Sequence, residues 1–342
     1  MPQGTGLTAG ESADSEVVVL HDFYVDRLLF SKNLKSLLRS VEAKGEAGGG
    51  GMHGVPQAEV CGGNAVNLAR ALSRFGTRTH LITHSDSRHE GLLRTSLSSP
   101  LVSLSLKRLE PGLTVAFEGR LGKRTVNVML GHLGGAGSFP PRLLNDADRR
   151  VMKKSKIVCS VNWAANRYGT DLLRKVRQVV GNDVKVFLDP ADIRDRIPQY
   201  RALLRAVKRE HLLDWLSANE FEGRATARLL GISTGGLGRM CRCIAKELSV
   251  RFDLHTENGS FSSDGGEVVH HPVEPLAPLV LTGAGDVWDA ASVHFYLSGF
   301  SDAERIELAD LAAGSYVSSK AARVPSEADV ISLLERQQGH RP

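Results

Sequence analysis

Leu281-Thr282-Gly283-Ala284-Gly285-Asp286-Val287-Trp288-Asp289-Ala290-Ala291 joins a glycine turn to an apolar stretch of helical character, with an aspartate at the junction. Small residues in succession let backbone N–H groups point into one concavity, and the N-terminal end of a following helix adds positive potential there. Such a concavity stabilises the charge that develops on a phosphoryl group in transfer. A carboxylate at the same turn can accept the proton of an attacking hydroxyl. A tight turn with Asp286 as an ordinary N-cap accounts for the same residues, so other segments must decide.

Two segments add weight. In Cys61-Gly62-Gly63-Asn64-Ala65-Val66-Asn67-Leu68-Ala69-Arg70-Ala71-Leu72-Ser73-Arg74-Phe75-Gly76, paired glycines allow close approach of a substrate to the backbone. Ala65, Leu68, Ala69 and Leu72 recur at helical spacing, which puts Asn67 in the first turn, able to face a pocket. Packing of a glycine-led helix explains the apolar stripe but gives no reason for two asparagines beside the glycines. Farther on, Ser217-Ala218-Asn219-Glu220-Phe221-Glu222 follows the apolar Trp215-Leu216. At a helix start Asn219 and Glu222 share a face, where they either cap the helix or hold magnesium-bound water near phosphates.

The order and spacing of these segments, with Val17-Val18-Val19-Leu20 as a first strand, resemble the ribokinase-like (PfkB) carbohydrate kinase family. The resemblance runs from about Val17 onward, and the most specific match is Thr282-Gly283-Ala284-Gly285-Asp286, the family's C-terminal signature. It implies an α/β protein, a ribokinase-like three-layer α/β/α sandwich with a small β-sheet lid. It also implies a kinase that moves a phosphoryl group from ATP or ADP to a hydroxyl of a sugar, sugar phosphate or nucleoside. Asp286 would then be the base, with Gly283, Ala284 and Gly285 forming the anion hole. Asp26, Gly62, Gly63 and Asn67 would bind the acceptor, while Asn219, Thr256, Gly259, Thr282 and Gly314 would bind the nucleotide. Glu222 would hold Mg2+ through water.

Three departures from the family pattern stand out. Tyr24 occupies the place, two residues before Asp26, of a small or amide residue. Leu279-Val280-Leu281 replaces an acidic residue ahead of the signature, and the glycine expected three before Gly259 is Thr256. The altered turn at Thr256 motivates a rival reading, a sugar- or nucleotide-binding sensor that kept the fold and lost turnover.

The 342 residues are 42% hydrophobic, ample for a large core, and no apolar run approaches the length of a membrane span. The polar, Gly-rich Met1 to Ser15 lacks the regions of a signal peptide, so the expectation is a cytoplasmic protein with no membrane partner. Four scattered cysteines, Cys61, Cys159, Cys241 and Cys243, read as free thiols. A net charge of +5 permits an anionic substrate, but Arg and Lys are interspersed with acids and only 6% of residues are aromatic, so no nucleic-acid partner is expected. A homodimer is left open.

Apolar runs at Val17 to Leu20, His80 to Thr83, Ile157 to Val161 and Val184 to Leu188 alternate with helical patterns at Ala65 to Phe75 and Leu172 to Val180. That alternation predicts a parallel sheet covered by helices, and Asp189 closes a strand at the edge where ligands of such sheets gather. Leu34, Leu37, Leu38 and Val41 predict a helix, followed from Gly45 by a flexible glycine-rich loop. Leu113 to Glu118 and Thr125 to Leu130 predict a hairpin. The expected organisation is a disordered tail over 1–15 and one domain over 16–338, with lid segments near 22–60 and 100–131. Helices are expected from Asp286 to Leu297, Asp302 to Lys320 and Ser326 to Arg336.

Overall fold

The computed structural model describes residues 15–122, 124–274, 276, 278–319 and 321–339. Strand β1 (Val17–Leu20) is wholly buried on both faces. Side chains alternate across a strand, so Val17 and Val19 enter one apolar cluster and Val18 and Leu20 the other. This accounts for an uninterrupted apolar run instead of an alternating one.

On one side of β1 lie β4 (Thr79–His84) and then β5 (Val102–Lys107), all parallel. On the other lie β8 (Ile157–Val161), β9 (Lys185–Asp189), β10 (Trp215–Asn219) and β11 (Arg251–Thr256), also parallel. Antiparallel β12 (Gly259–Ser263) and β13 (Val268–Pro272) complete a nine-stranded sheet among the described residues. The helices Asn64–Phe75, Ala284–Leu297 and Asp302–Val317 cover the face of Val17 and Val19. Gly169–Val180, Ile197–Glu210 and Leu237–Leu248 cover the other. The result is a three-layer α/β/α sandwich.

A smaller sheet has the order β3 (Gln57–Gly62), β2 (Tyr24–Ser31), β6 (Gly112–Leu121), β7 (Arg124–His132). The β6–β7 hairpin runs in register from Leu113 opposite His132 to Leu121 opposite Arg124. Three expectations need adjustment. The helix Leu34–Glu46 continues through Gly45, and the left-handed glycines that break it begin at Gly48. Residues 102–107, placed near the lid by sequence, form β5 on the main sheet, paired with β4. The tail expected over 1–15 lies outside the described residues except for Ser15, which is buried.

Successive strands build outward from β1 in one direction and then, from β8, in the other. Ligands of open α/β sheets bind in the crevice outside the strand carboxyl ends where the order reverses. Asp22 follows β1, Asn162 follows β8, Asp189 ends β9 and Asn219 ends β10. Among the described residues no helix is long and apolar enough to cross a membrane.

Candidate active site

Gly283 caps the helix Ala284–Leu297 with φ +86°, and a Cβ there would come within 2.9 Å of the Tyr316 hydroxyl. Glycine is therefore required both by conformation and by the packed ring. Asp286 lies in the first turn, 6% exposed, and its carboxylate is gripped from the facing helix. Asn64 Nδ2 donates to Oδ1 at 3.0 Å and Asn67 Nδ2 donates to Oδ2 at 2.9 Å. Both asparagines thus orient the aspartate that the sequence resemblance puts forward as the base.

The helix Asn64–Phe75 is itself fixed by Asp22, whose carboxylate accepts the N–H groups of Asn64 and Ala65, each at 2.9 Å. Asn162 Nδ2 donates to the same Asp22 at 2.9 Å. A carboxylate across a helix N-terminus satisfies donors that have no partner within the helix. Asp22, Asn64 and Asn162 had no assigned role from sequence. Asn64 was visible as the second asparagine beside the glycines, whereas the Asp22 and Asn162 contacts span strand ends and leave no local pattern.

Asp26, Gly63, Asn67, Gly283, Gly285 and Asp286 line one cavity of about 670 Å³. Tyr24 and Asp26 both reach it, as residues two apart on a strand should. The Tyr24 ring lies against Gly112, where a Cβ would sit 2.3 Å from it. Gly62 faces Asp26 so closely that a Cβ would fall 1.8 Å from Oδ2. Asn162, Asp189, Asn219 and Glu222 line the same cavity.

A neighbouring cavity of about 480 Å³ is lined by Thr256, Gly314, Ala313, Trp288 and Val317. Asn219, His255 and Gly285 face both cavities, so the two meet at the N-terminus of the Asp286 helix. Two of the residues that the resemblance implies for the nucleotide, Gly259 and Thr282, do not line this neighbouring cavity. Gly259 pairs with Thr256 across the β11–β12 turn and lines neither cavity. Thr282 faces the first cavity, and its carbonyl accepts the Tyr316 hydroxyl at 2.8 Å.

Asn219 and Glu222 form a reciprocal cap. Asn219 Oδ1 accepts the Glu222 N–H at 3.0 Å, and Glu222 Oε2 accepts the Asn219 N–H at 3.0 Å. The capping alternative is therefore realised, and both residues also line the cavity, Glu222 while buried. Burial, then repulsion from Asp189, raises Glu222 well above the usual carboxylate range. Burial likewise raises Asp286, with Asp189 and Asp22 adding to the push and the two asparagines opposing it. Asp189 is pushed up to about 6, chiefly by burial. Carboxyl groups that resist ionisation together fit a place where a cation is brought in. Among the described residues, however, no three acidic, His or Cys side chains converge to chelate a metal directly.

No protein-family model matches the chain. An adenosine kinase from Sinorhizobium meliloti superposes with a TM-score of 0.74 over 95% of this chain and all of that one, at 19% identity. A ribokinase from Arabidopsis thaliana complexed with ribose and ATP superposes at 0.70 over 94% of this chain and 99% of that one, at 21% identity. The chain has the ribokinase-like fold. Within that fold the cavity at the strand ends and the smaller sheet over it are the parts that the sequence resemblance anticipates. In sequence, a ketohexokinase of Haloferax volcanii is 26% identical over 278 residues, covering 75% of this chain and 70% of that protein.

Proposed function

We propose that the protein transfers a phosphoryl group from ATP or ADP to a hydroxyl of a sugar, sugar phosphate or nucleoside. The observation that carries this reading is Asp286, held by two amides at a helix N-terminus where two cavities meet. One cavity presents hydrogen-bonding groups suited to an acceptor, Asp26 and Asn67. The other presents Trp288, Val317 and the small Ala313 and Gly314, suited to a flat base.

Asp286 takes the proton of the acceptor hydroxyl as that oxygen attacks the terminal phosphorus. The backbone N–H groups of Gly283 and Gly285 are placed to face the transferred group, whereas that of Ala284 donates to the Leu281 carbonyl at 3.2 Å, and Asp26 with Asn67 aligns the acceptor. No covalent enzyme intermediate is needed. Magnesium, when bound, supplies charge neutralisation among the phosphates, with Glu222 and Asn219 as the residues placed to order its waters. A screen of acceptors against ATP and ADP tests the reading. Absence of phosphorylated product with every pair, alongside measurable binding of nucleotide, would favour the sensor.

Glu222→Gln is expected to weaken the dependence on magnesium more than the affinity for acceptor, because its role runs through metal-bound water. A magnesium titration indistinguishable from the parent would leave Glu222 as a helix cap alone.

The acceptor end favours a furanose. Tyr24 sets an aromatic face beside Asp26 in the acceptor cavity, a pairing that stacks on a sugar or base while the carboxylate takes vicinal hydroxyls. Ribose, ribose 1-phosphate or nucleosides are expected to be preferred over hexoses. The ketohexokinase likeness makes fructose the comparison to include. Specificity constants decide it, and a hexose preferred tenfold, about 1.4 kcal/mol, would overturn the furanose preference without touching the kinase reading.

A further inference from the structure

Behind the acceptor wall lies a third cleft of about 720 Å³, which shares Asp26, Asn67 and Thr282 with the acceptor cavity. Its far side is basic. Arg70 and Arg74, one turn apart on the helix Asn64–Phe75, face it together with Arg323, and Ser96, Ser98 and Ser99 add hydroxyls. Arg74 and Arg323 are exposed, and among the described residues neither makes an ion pair or hydrogen bond through its guanidinium. Asp329 lies near enough to feel both charges, but its carboxylate accepts the Ser326 N–H at 2.8 Å and hydroxyl at 2.7 Å.

The arginines of the acceptor cavity differ. There Arg194 pairs with Asp192 at 2.7 Å, and Arg196 donates to the carbonyls of Trp163, Ala164 and Asn166. The two carboxylates of the third cleft, Asp26 and Glu118, belong to lid strands, and Glu118 accepts the Thr282 hydroxyl at 3.3 Å. The guanidiniums of Arg74 and Arg323 at one end of the cleft present forked donors to a planar or tetrahedral anion, with Arg70, which also donates to Ser96 and Asn67, beside them.

We propose that this cleft binds a phosphate monoester or inorganic phosphate between Arg70, Arg74 and Arg323. Such a group carries a charge of about −1.5 to −2 at neutral pH and offers three acceptor oxygens, matching the arginines and serines. The site has a direct route to the reaction centre. Arg70 donates to Asn67 Oδ1 at 2.8 Å, and Asn67 donates to Asp286 at 2.9 Å. The anion enters either as part of a phosphorylated acceptor or as a separate effector. Choosing between these sources rests on the kinase reading, whereas the binding site does not.

The test is calorimetric titration of the full chain with inorganic phosphate and with ribose 1-phosphate, with and without a non-hydrolysable ATP analogue that occupies the nucleotide cavity. The parent is compared with Arg74→Gln/Arg323→Gln, two exposed changes whose folding is checked by circular dichroism. Expected is at least about a tenfold loss of affinity for one or both probes in the variant, with the analogue bound equally well by both proteins. Equal affinity in parent and variant, or no binding of either probe by the parent, overturns the site. Turnover then separates the sources. A phosphorylated acceptor predicts a higher kcat/KM for ribose 1-phosphate than for ribose, by about tenfold, and competition by phosphate. An effector predicts that phosphate changes the turnover of ribose without competing with it. Either response disappears in the variant, and if no acceptor is turned over, the titration alone still decides the site.

Discussion

Asp286→Asn is expected to keep the fold and the binding of acceptor and nucleotide while lowering turnover by at least roughly 100-fold, the usual scale of a general base. The neutral amide cannot take the hydroxyl proton. In the parent, both carboxylate oxygens accept from amides, Asn64 at one and Asn67 at the other. The new side chain offers one oxygen and one NH2, so one of these contacts becomes donor against donor, a local cost of about 1–3 kcal/mol. Loss of a charge beside Asp189 and Asp22 works in the opposite direction, which is why the fold should survive. The parent also has a pH signature. Burial first, and the neighbouring carboxylates next, raise Asp286 well above its ordinary range, and only its ionised form accepts a proton. Activity should therefore fall as the pH drops through a value higher than that of a free aspartate. Steady-state kinetics on the best acceptor, with circular dichroism as the folding control, check both statements. Turnover equal to the parent would reduce Asp286 to a cap.

What the chain reveals locally and what it conceals divide along the length of the interactions. Val17–Leu20 is legible to the residue because a strand buried on both faces is apolar throughout, and Ile157–Val161 is legible with Ser160 as its one polar residue. The helix beginning at Asn64 is legible from its stripe and from Gly76, which ends it in a left-handed conformation. Asn219 and Glu222 are legible as a pair, yet three-residue spacing serves capping and phosphate chemistry alike. Only position at the end of β10 brings the cap to the cavity.

The hidden part is long-range. Asn162 reaches Asp22 across 140 residues and Asn64 reaches Asp286 across 222, and no periodicity encodes either. Thr282 illustrates the same limit within a recognised motif. Adjacent residues on a turn point to different cavities, so motif membership places Thr282 near the centre without saying on which side. The run 102–107 falls inside the lid range near 100–131 yet pairs with β4 in the main sheet, and no local pattern within a strand says which sheet it joins.

Arg305→Met is expected to be the most damaging single change away from the site, by about 3–5 kcal/mol, because it strands a buried charge. Arg305 and Asp253 are both fully buried, Nη1 donates to Oδ2 at 2.5 Å and Nη2 to Oδ1 at 3.1 Å. The guanidinium also lies over the Trp215 ring, 4.8 Å from its centroid, and donates to Ser262 and Ser292. Burial would raise Asp253, but Arg305 more than offsets this and holds it below its ordinary value. In the parent this pairing contributes stability that is present above the unfolded-state pKa and lost as pH falls through the folded one. In the variant the sign reverses. A lone buried carboxylate costs most when ionised, so the deficit should be largest near neutral pH and shrink on acidification. Urea denaturation of parent and variant at several pH values measures it. Adding Asp253→Asn removes the stranded charge while leaving an oxygen for the Trp215 indole N–H, which now donates to Asp253 at 3.0 Å. The double variant should regain more than about half of the loss, since it is the unpaired charge and not the missing pair that is expensive. A single variant within about 1 kcal/mol of the parent would mean that the pair is screened like a surface ion pair, against the burial of both groups.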